Sequence, residues 1–154
     1  MRRPDNRAVS VAITHALTVA ITTALLSGLL ISSGALLESQ EQRVGNQQLS
    51  EIGSDTLSYL HDLDRMSQAG EETELTVVPN YPDRIVDSYS YTIELRPSPE
   101  GGAILEVRAN RLDLSVEYEI ATETAIQEST VRGGTVQISL CENPQEITLG
   151  ECES

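Results

Sequence analysis

Thirty consecutive residues, 8–37, contain no Asp, Glu, Lys or Arg, and this apolar run constrains the chain more than any other feature. About 20 apolar residues suffice for a helix to cross the hydrocarbon core of a bilayer, whereas a signal peptide usually has an apolar region of only about 7–15 residues. The run is therefore long enough to cross a membrane and to continue beyond it. We predict a transmembrane helix over residues 8–37.

The charges on the two sides of the run differ in sign. Residues 1–7 hold three Arg and one Asp, whereas the chain from Glu38 onward holds 23 acidic residues and seven Arg. The positive-inside rule places the basic flank in the cytoplasm, so we expect a cell-membrane protein whose residues after Glu38 lie outside the cell. An alternative stays open, because Ser33-Gly34-Ala35 has the small-x-small pattern of a signal-peptidase site. Cleavage there would release a soluble protein.

The whole chain has 24 acidic residues against ten Arg and no Lys, which gives a net charge of −14. A surface this acidic repels phosphate, so we expect no binding to nucleic acid. An excess of Asp and Glu with a loss of Lys is typical of surfaces adapted to molar salt, where a Debye length of about 3 Å screens self-repulsion. We infer a halophilic source. The alternative is an ordinary acidic domain in an organism whose codon use favours Arg.

Residues 38–68 continue with a polar helical pattern, in which apolar side chains recur about every three to five positions. No Pro occurs between Arg7 and Pro79, so nothing forces a break in the helix. Gly45 and Gly53 each weaken it by about 1 kcal/mol relative to Ala. We predict that this segment is a polar helical stalk outside the following domain, and that the helix ends at residues 69–72.

Residues 74–154 change to a period of two, which is typical of half-buried strands. The predicted strands at 89–96, 103–109 and 112–120 form an antiparallel meander with one apolar and one acidic face. We predict six or seven strands and an α+β fold, in which the long N-terminal transmembrane and stalk helix precedes a small sandwich-like antiparallel sheet domain. The clearest strands cover 89–96, 103–109, 112–120 and 136–140, and weaker candidates lie at 75–78, 125–131 and 147–149.

The chain has two cysteines, Cys141 and Cys152, close to its C-terminal end. Outside the cytoplasm we expect them to form a disulfide, which would remove about 2–3 kcal/mol of unfolded-state entropy. The alternative is two free thiols. A zinc site is disfavoured, because two sulfurs with no nearby His do not complete a set of four ligands.

The sequence offers few groups for catalysis. His15 lies in the apolar run and His61 lies next to Asp62, where a neutral side chain and a solvated helix face are the ordinary explanations. Neither His has a neighbouring Ser or Cys that would suggest a nucleophile–base pair. The acidic residues between 62 and 74 could loosely hold a hard cation, but a solvated run of charges is the more ordinary explanation. We expect no enzyme activity, no catalytic residue, no cofactor and no metal site.

Steps of four residues divide the apolar run into rows. Thr14, Thr18 and Thr22 form one row, whose hydroxyls we expect to be available for bonds to other helices. Rows of small residues let membrane helices approach closely, and a row of this kind drifts by about 40° per step. We predict packing against several neighbouring helices, or a short crossing, through the small row Ala12, Ala16, Ala20, Ala24, Gly28 and Ser32.

A short basic leader, a long apolar helix, a polar helical extension and a compact β domain together resemble the archaeal type IV pilin-like proteins. The segment Arg7-Ala8-Val9-Ser10 is similar to the Arg-Ala-Val-Ser-Pro start of many haloarchaeal pilins, with Val11 in place of Pro. The resemblance implies that a membrane peptidase removes the basic leader by cutting near Arg7-Ala8, just before the apolar helix. It also implies that the helices bundle as a filament core with the β domains facing outward.

Two functions follow as hypotheses. The first is a pilin-like structural subunit, whose partners are the lipid bilayer, other pilin-like subunits and membrane proteins of an assembly platform. The second is a solitary single-pass anchor that displays a β domain for binding an extracellular ligand. The two differ in whether the leader is removed and whether the small-residue row has helical neighbours.

Overall fold

The computed structural model describes residues 6–70, 74–142 and 144–152. It divides into two compact units, Met1–Gln40 and Glu41–Ser154, of which the second holds all the strands. The fold is α+β, as the sequence predicts. Its elements are helix α1 (Asn6–Gln68) and strands β1 (Leu75–Val77), β2 (Tyr91–Pro97), β3 (Ala103–Ala109), β4 (Ser115–Ile120), β5 (Ala125–Ile126), β6 (Ser129–Arg132), β7 (Ile138–Glu142) and β8 (Gln145–Leu149).

The first sheet has four antiparallel strands in the order β4-β3-β2-β6. Its inner face is aligned by register, since Ile93 is opposite both Val107 and Val131, and Val107 is opposite Val116. β2, β3 and β4 are consecutive in sequence, so the antiparallel meander predicted from the alternating pattern is confirmed.

The second sheet has the order β1-β7-β8-β5. β7 pairs with both β1 and β8 in antiparallel fashion, whereas the two residues of β5 pair with β8 in parallel. Leu140 and Ile147 are opposite each other on β7 and β8 and both are buried. The two sheets share one hydrophobic core, which contains no Phe or Trp because the chain has none.

The part of α1 within the second unit contributes to that core. Leu49, Ile52, Leu60 and Leu63 are at most 4% exposed, and their spacing of three, eight and three residues keeps them on one side of the helix. The predicted polar stalk over 38–68 is helical, as expected, but from residue 41 it belongs to the compact unit instead of preceding it. The polar residues between the apolar positions suggested a helix outside the domain. Its apolar stripe instead belongs to the core that the two sheets share.

The strand boundaries show where periodicity alone was insufficient. Leu112 and Leu114 extend the alternating pattern but precede β4, and the region 125–131 holds parts of two separate strands, β5 and β6. The described residues contain eight strands instead of six or seven. The helix ends at Gln68, and Gly70 at φ +80° follows it, which is the left-handed conformation common after helix ends. Glu71 and Glu72 lie outside the described residues.

Cys141 on β7 and Cys152 form a disulfide with a Cα–Cα distance of 5.6 Å. The predicted bond is confirmed. It fixes the segment after β8 to the neighbouring strand and closes a loop between residues 11 apart in sequence. We expect a contribution of about 2–3 kcal/mol to the free energy of unfolding from the shortened unfolded chain.

Candidate functional site

The N-terminal part of α1 is an apolar surface without a partner in the described structure. The described side chains from residue 12 to 34 and from 36 to 40 are all exposed, including Leu30 at 74% and Ile31 at 76%. By length and composition this helix can cross a membrane. A soluble monomer rarely exposes a contiguous apolar area of this extent, so the segment is the candidate functional site.

All six residues of the small row are exposed. The large apolar residues beside it are exposed as well, namely Ile13, Leu17, Ile21, Leu25 and Leu29. At Gly28 a Cβ would meet nothing within 4 Å, and the same holds for Gly34. The described structure therefore leaves open space along the row. Its packing against other helices stays a prediction.

Five hydroxyl groups of this segment donate their protons to carbonyl oxygens of the same helix. Thr18 and Thr22 donate to the carbonyl oxygens of Thr14 and Thr18, over 2.9 and 2.8 Å. Thr23, Ser27 and Ser33 make the same bond four residues back, each over 2.8 Å. Local carbonyls accept the protons of Thr18 and Thr22, whereas the hydroxyl oxygens keep acceptor capacity, so bonding to neighbouring helices stays a prediction. Satisfied donors also lower the cost of placing the helix in hydrocarbon.

The leader residues bear on processing. Arg7 and Ala8 lie within the first turns of α1, but their side chains are outside the described ones, as are residues 1–5 altogether. Cleavage between Arg7 and Ala8 stays a prediction.

His15 and His61 are both exposed on α1. Among the described residues, no group of three or more His, Cys, Asp or Glu is arranged to hold a metal ion. Asp64, the neighbour of His61 in the acidic run, is buried and has a structural role described below. The absence of catalysis stays an expectation from the residue types.

Asp64 joins the helix to the loop after β4. Its Oδ1 accepts the N–H groups of Glu123 and Thr124 over 3.2 and 2.9 Å, and its Oδ2 accepts the Gln68 amide over 2.9 Å. The side chain is only 6% exposed. A buried carboxylate is tolerated because backbone and amide donors replace its water. The sequence placed this residue in a solvated charge run and gave no sign of this role.

Two tyrosines, Tyr91 buried and Tyr81 partly buried, hold the segment between β1 and β2. Tyr91 is fully buried, its hydroxyl donates to the Pro82 carbonyl over 2.8 Å, and burial raises the pKa of Tyr91 to about 12. Burial also raises the pKa of Tyr81, whose Oη lies 3.0 Å from Thr56 Oγ1 on the helix. Both phenols therefore stay neutral at any ordinary pH and act as hydrogen-bonded core groups.

The outer face of the first sheet carries a row of carboxylates. Glu94, Glu106 and Glu117 are directly opposite one another on β2, β3 and β4, which is unfavourable for like charges. Arg96 offsets the repulsion, since its Nη2 lies 3.0 Å from Glu117 and its Nε 3.9 Å from Glu94. Arg108 pairs with Glu106, and the hydrogen bonds that its guanidinium donates to that carboxylate raise the pKa of Arg108. Ion pairs with Arg96 and Arg108 thus stabilise this row of carboxylates on the sheet surface.

Comparison with known proteins gives a family and no function. Residues 4–150 match the family model DUF7266, described as a family of unknown function. No curated protein and no solved structure matches the chain. The match covers the apolar helix together with the α+β unit, so these two parts occur together as one family unit.

Proposed function

We propose that this chain, which belongs to the DUF7266 family of unknown function, is a pilin-like structural subunit of the cell surface. The observation that carries the proposal is the difference in burial between the two parts of α1. Its side chains at 12–34 and 36–40 are all exposed, whereas apolar side chains between Leu49 and Leu63 pack in the core of a compact domain. Such a helix displays an apolar surface for lipid or other helices and continues in the same chain into the domain.

The proposed role divides between membrane and assembly. The run 8–37 anchors the chain in the bilayer, with the basic residues 1–7 in the cytoplasm and the acidic domain outside. After removal of the leader between Arg7 and Ala8, the row from Ala12 to Ser32 packs against the helices of neighbouring subunits. Because Thr18 and Thr22 donate their hydroxyl protons within the helix, we attribute the affinity mainly to close van der Waals contact at the small residues.

The first test is the mature N-terminus. Mass spectrometry of the protein extracted from its native membrane should find a chain beginning at Ala8. A chain beginning near residue 36 indicates signal-peptidase release, and an intact Met1 contradicts pilin processing. Each of the three results assigns a different fate to the chain.

The second test separates a filament subunit from a solitary anchor. Ala20→Leu with Ala24→Leu should abolish sedimentable assemblies while the protein stays in the membrane, because larger side chains prevent close helix approach. The matched control is Ile21→Leu with Leu25→Ile, which keeps volume and hydrophobicity on the neighbouring row. Unchanged assembly in the Ala double variant would favour the alternative, a single-pass module that binds an extracellular ligand.

We also infer that the domain works at high salt. Residues 41–154 carry 22 acidic residues against seven Arg, so self-repulsion opposes the compact state unless salt screens it. Thermal unfolding of the protein should shift to higher temperature as KCl rises from about 0.1 M to about 2 M. A melting temperature independent of KCl contradicts the inference.

A further inference from the structure

Three segments that are distant in sequence meet at one end of the unit 41–154. Val86 donates its N–H to Gln48 Oε1 over 2.8 Å, which joins the turn 85–89 to the helix. Asn110 donates its N–H to the Ser90 carbonyl over 2.9 Å, which joins that turn to the β3–β4 hairpin. We call residues 41–48, 83–90 and 109–114 the proximal end.

Gly45 is the point at which the three segments touch. A Cβ there would lie 2.9 Å from Leu114 Cδ1, 3.5 Å from Val86 Cγ2 and 3.9 Å from Leu112 Cδ1. The absence of a side chain therefore lets the turn and the hairpin close against the helix. The proximal end is a packed surface of the domain and not a set of separate loops.

The covalent chain keeps this end near the apolar run. Arg43 follows Leu37, the last residue of the run, by six positions. Six residues reach at most about 20–22 Å even when fully extended. If the run spans the bilayer, the proximal end is the part of the domain that is tethered beside the lipid headgroups.

The charges of the domain are distributed unevenly with respect to this end. The proximal end has three Arg and four acidic residues, whereas the remainder of 41–154 has four Arg and 18 acidic residues. Arg43, Arg84 and Arg111 are exposed and form no ion pair within the described part of the chain, in contrast to Arg96 and Arg108. The proximal end has a net charge of −1, against −14 for the remainder of the domain. Its three guanidinium groups are unpaired among the described residues, as are those of Arg65 and Arg132 outside it.

We propose that Arg43, Arg84 and Arg111 bind the phosphate groups of lipid headgroups in the outer leaflet, and that this contact holds the proximal end against the membrane. The inference rests on the membrane anchoring in the proposed function. A guanidinium group forms two parallel hydrogen bonds to a phosphate, which suits Arg more than Lys to this task. The acidic remainder of the domain is repelled by anionic headgroups, so this contact also selects the orientation of the domain.

The test uses the full chain in lipid nanodiscs with one copy per disc. Amide hydrogen exchange of segments 84–90 and 109–114 is compared in phosphatidylglycerol and phosphatidylcholine discs, at the lowest KCl concentration at which the domain stays folded, because salt weakens contacts between exposed charges. We expect slower exchange on the anionic lipid. Exchange there should accelerate by at least about fivefold in Arg84→Gln with Arg111→Gln, because each Arg near an anionic surface strengthens membrane association by roughly that factor. The matched control, Arg65→Gln with Arg132→Gln, makes the same charge change outside the proximal end and should leave exchange unaltered.

Several results overturn the proposal. Equal exchange on the two lipids does so, as does an equal effect of the two double variants. Protection in detergent with inorganic phosphate alone would assign the arginines to a free anion, and protection that grows with the number of chains per disc would assign them to a second copy. Release of the chain from the discs by alkaline carbonate contradicts the anchoring itself, which separates failure of the proposed function from failure of this inference.

Discussion

The ring of Tyr118 occupies the space that a side chain at residue 53 would need. A Cβ built on Gly53 would lie within 3.0 Å of Tyr118 Cε2 and 3.3 Å from Cδ2, closer than real Cβ contacts. The Tyr118 hydroxyl donates to the Ser50 carbonyl, one turn earlier, over 3.0 Å. An edge strand thus docks on the helix through a glycine and an aromatic residue 65 positions apart.

Gly53→Ala tests this contact, because two effects oppose each other. Alanine gains about 1 kcal/mol in helix propensity, but the ring of Tyr118 must move, and overpacking costs about 1–3 kcal/mol. We expect a net loss of up to about 2 kcal/mol in the free energy of unfolding, measured by urea denaturation of the detergent-solubilised protein.

Two controls accompany that measurement. Gly45→Ala meets Leu114 Cδ1, the end of a flexible side chain, and should be milder. In a Tyr118→Leu background, Gly53→Ala should become neutral or stabilising, because the ring is gone. If Gly53→Ala is destabilising to the same degree in both backgrounds, the contact is not the reason for the glycine.

Asp64→Ala should lower the free energy of unfolding by about 1–3 kcal/mol, because it leaves two N–H groups of the loop after β4 without their acceptor. Hydrogen exchange at Glu123 and Thr124 should accelerate together with this loss. Asp62→Ala, an exposed neighbour, should change stability by no more than about 0.5 kcal/mol. Similar losses in both variants would mean that net charge, and not the hydrogen bonds, is responsible.

The turn 85–89 should gain stability from glycine. Val86 and Asp87 both have positive φ, 48° and 54°, and Ser88 donates its N–H to the Ile85 carbonyl, which is the pattern of a type I′ turn. Asp87 is exposed, so Asp87→Gly relieves the backbone without removing a buried contact. We expect a gain of up to about 1 kcal/mol in thermal or urea unfolding. The free energy of unfolding should fall in the order Gly, Asp, Ala at residue 87. A stabilising Asp87→Ala would contradict the turn assignment.

Alkaline pH should destabilise the domain through Tyr91. Burial raises its pKa from 10.0 to about 12, so the folded state keeps a proton that the unfolded state has already lost. The contribution is fully present below pH 10 and is lost as pH rises from 10 to about 12. Urea unfolding at a series of pH values should show this fall, and Tyr91→Phe should reduce its slope. An unaltered slope would assign the fall to other groups, Tyr81 among them.

The sequence predicted the features that depend on local pattern. Thirty uncharged residues make a long apolar helix irrespective of what surrounds it, and the alternation at Ile93 and Leu95 or at Leu105 and Val107 defines strands with a buried face. The disulfide was also predictable, because the chain has only Cys141 and Cys152 to pair. These conclusions need only hydrophobicity, backbone period and residue count.

The tertiary structure decided what depends on partners distant in sequence. From the sequence, Gly53 only weakens a helix, whereas in the structure the ring of Tyr118 packs against it. From the sequence, Asp64 is a solvated charge, whereas in the structure it accepts two N–H groups of the loop after β4. The same holds for the membership of residues 41–68 in the domain, because an amphipathic stripe does not specify which surface covers it. Local sequence sets the period and polarity of each element, whereas burial and the satisfaction of polar groups are properties of the packed whole.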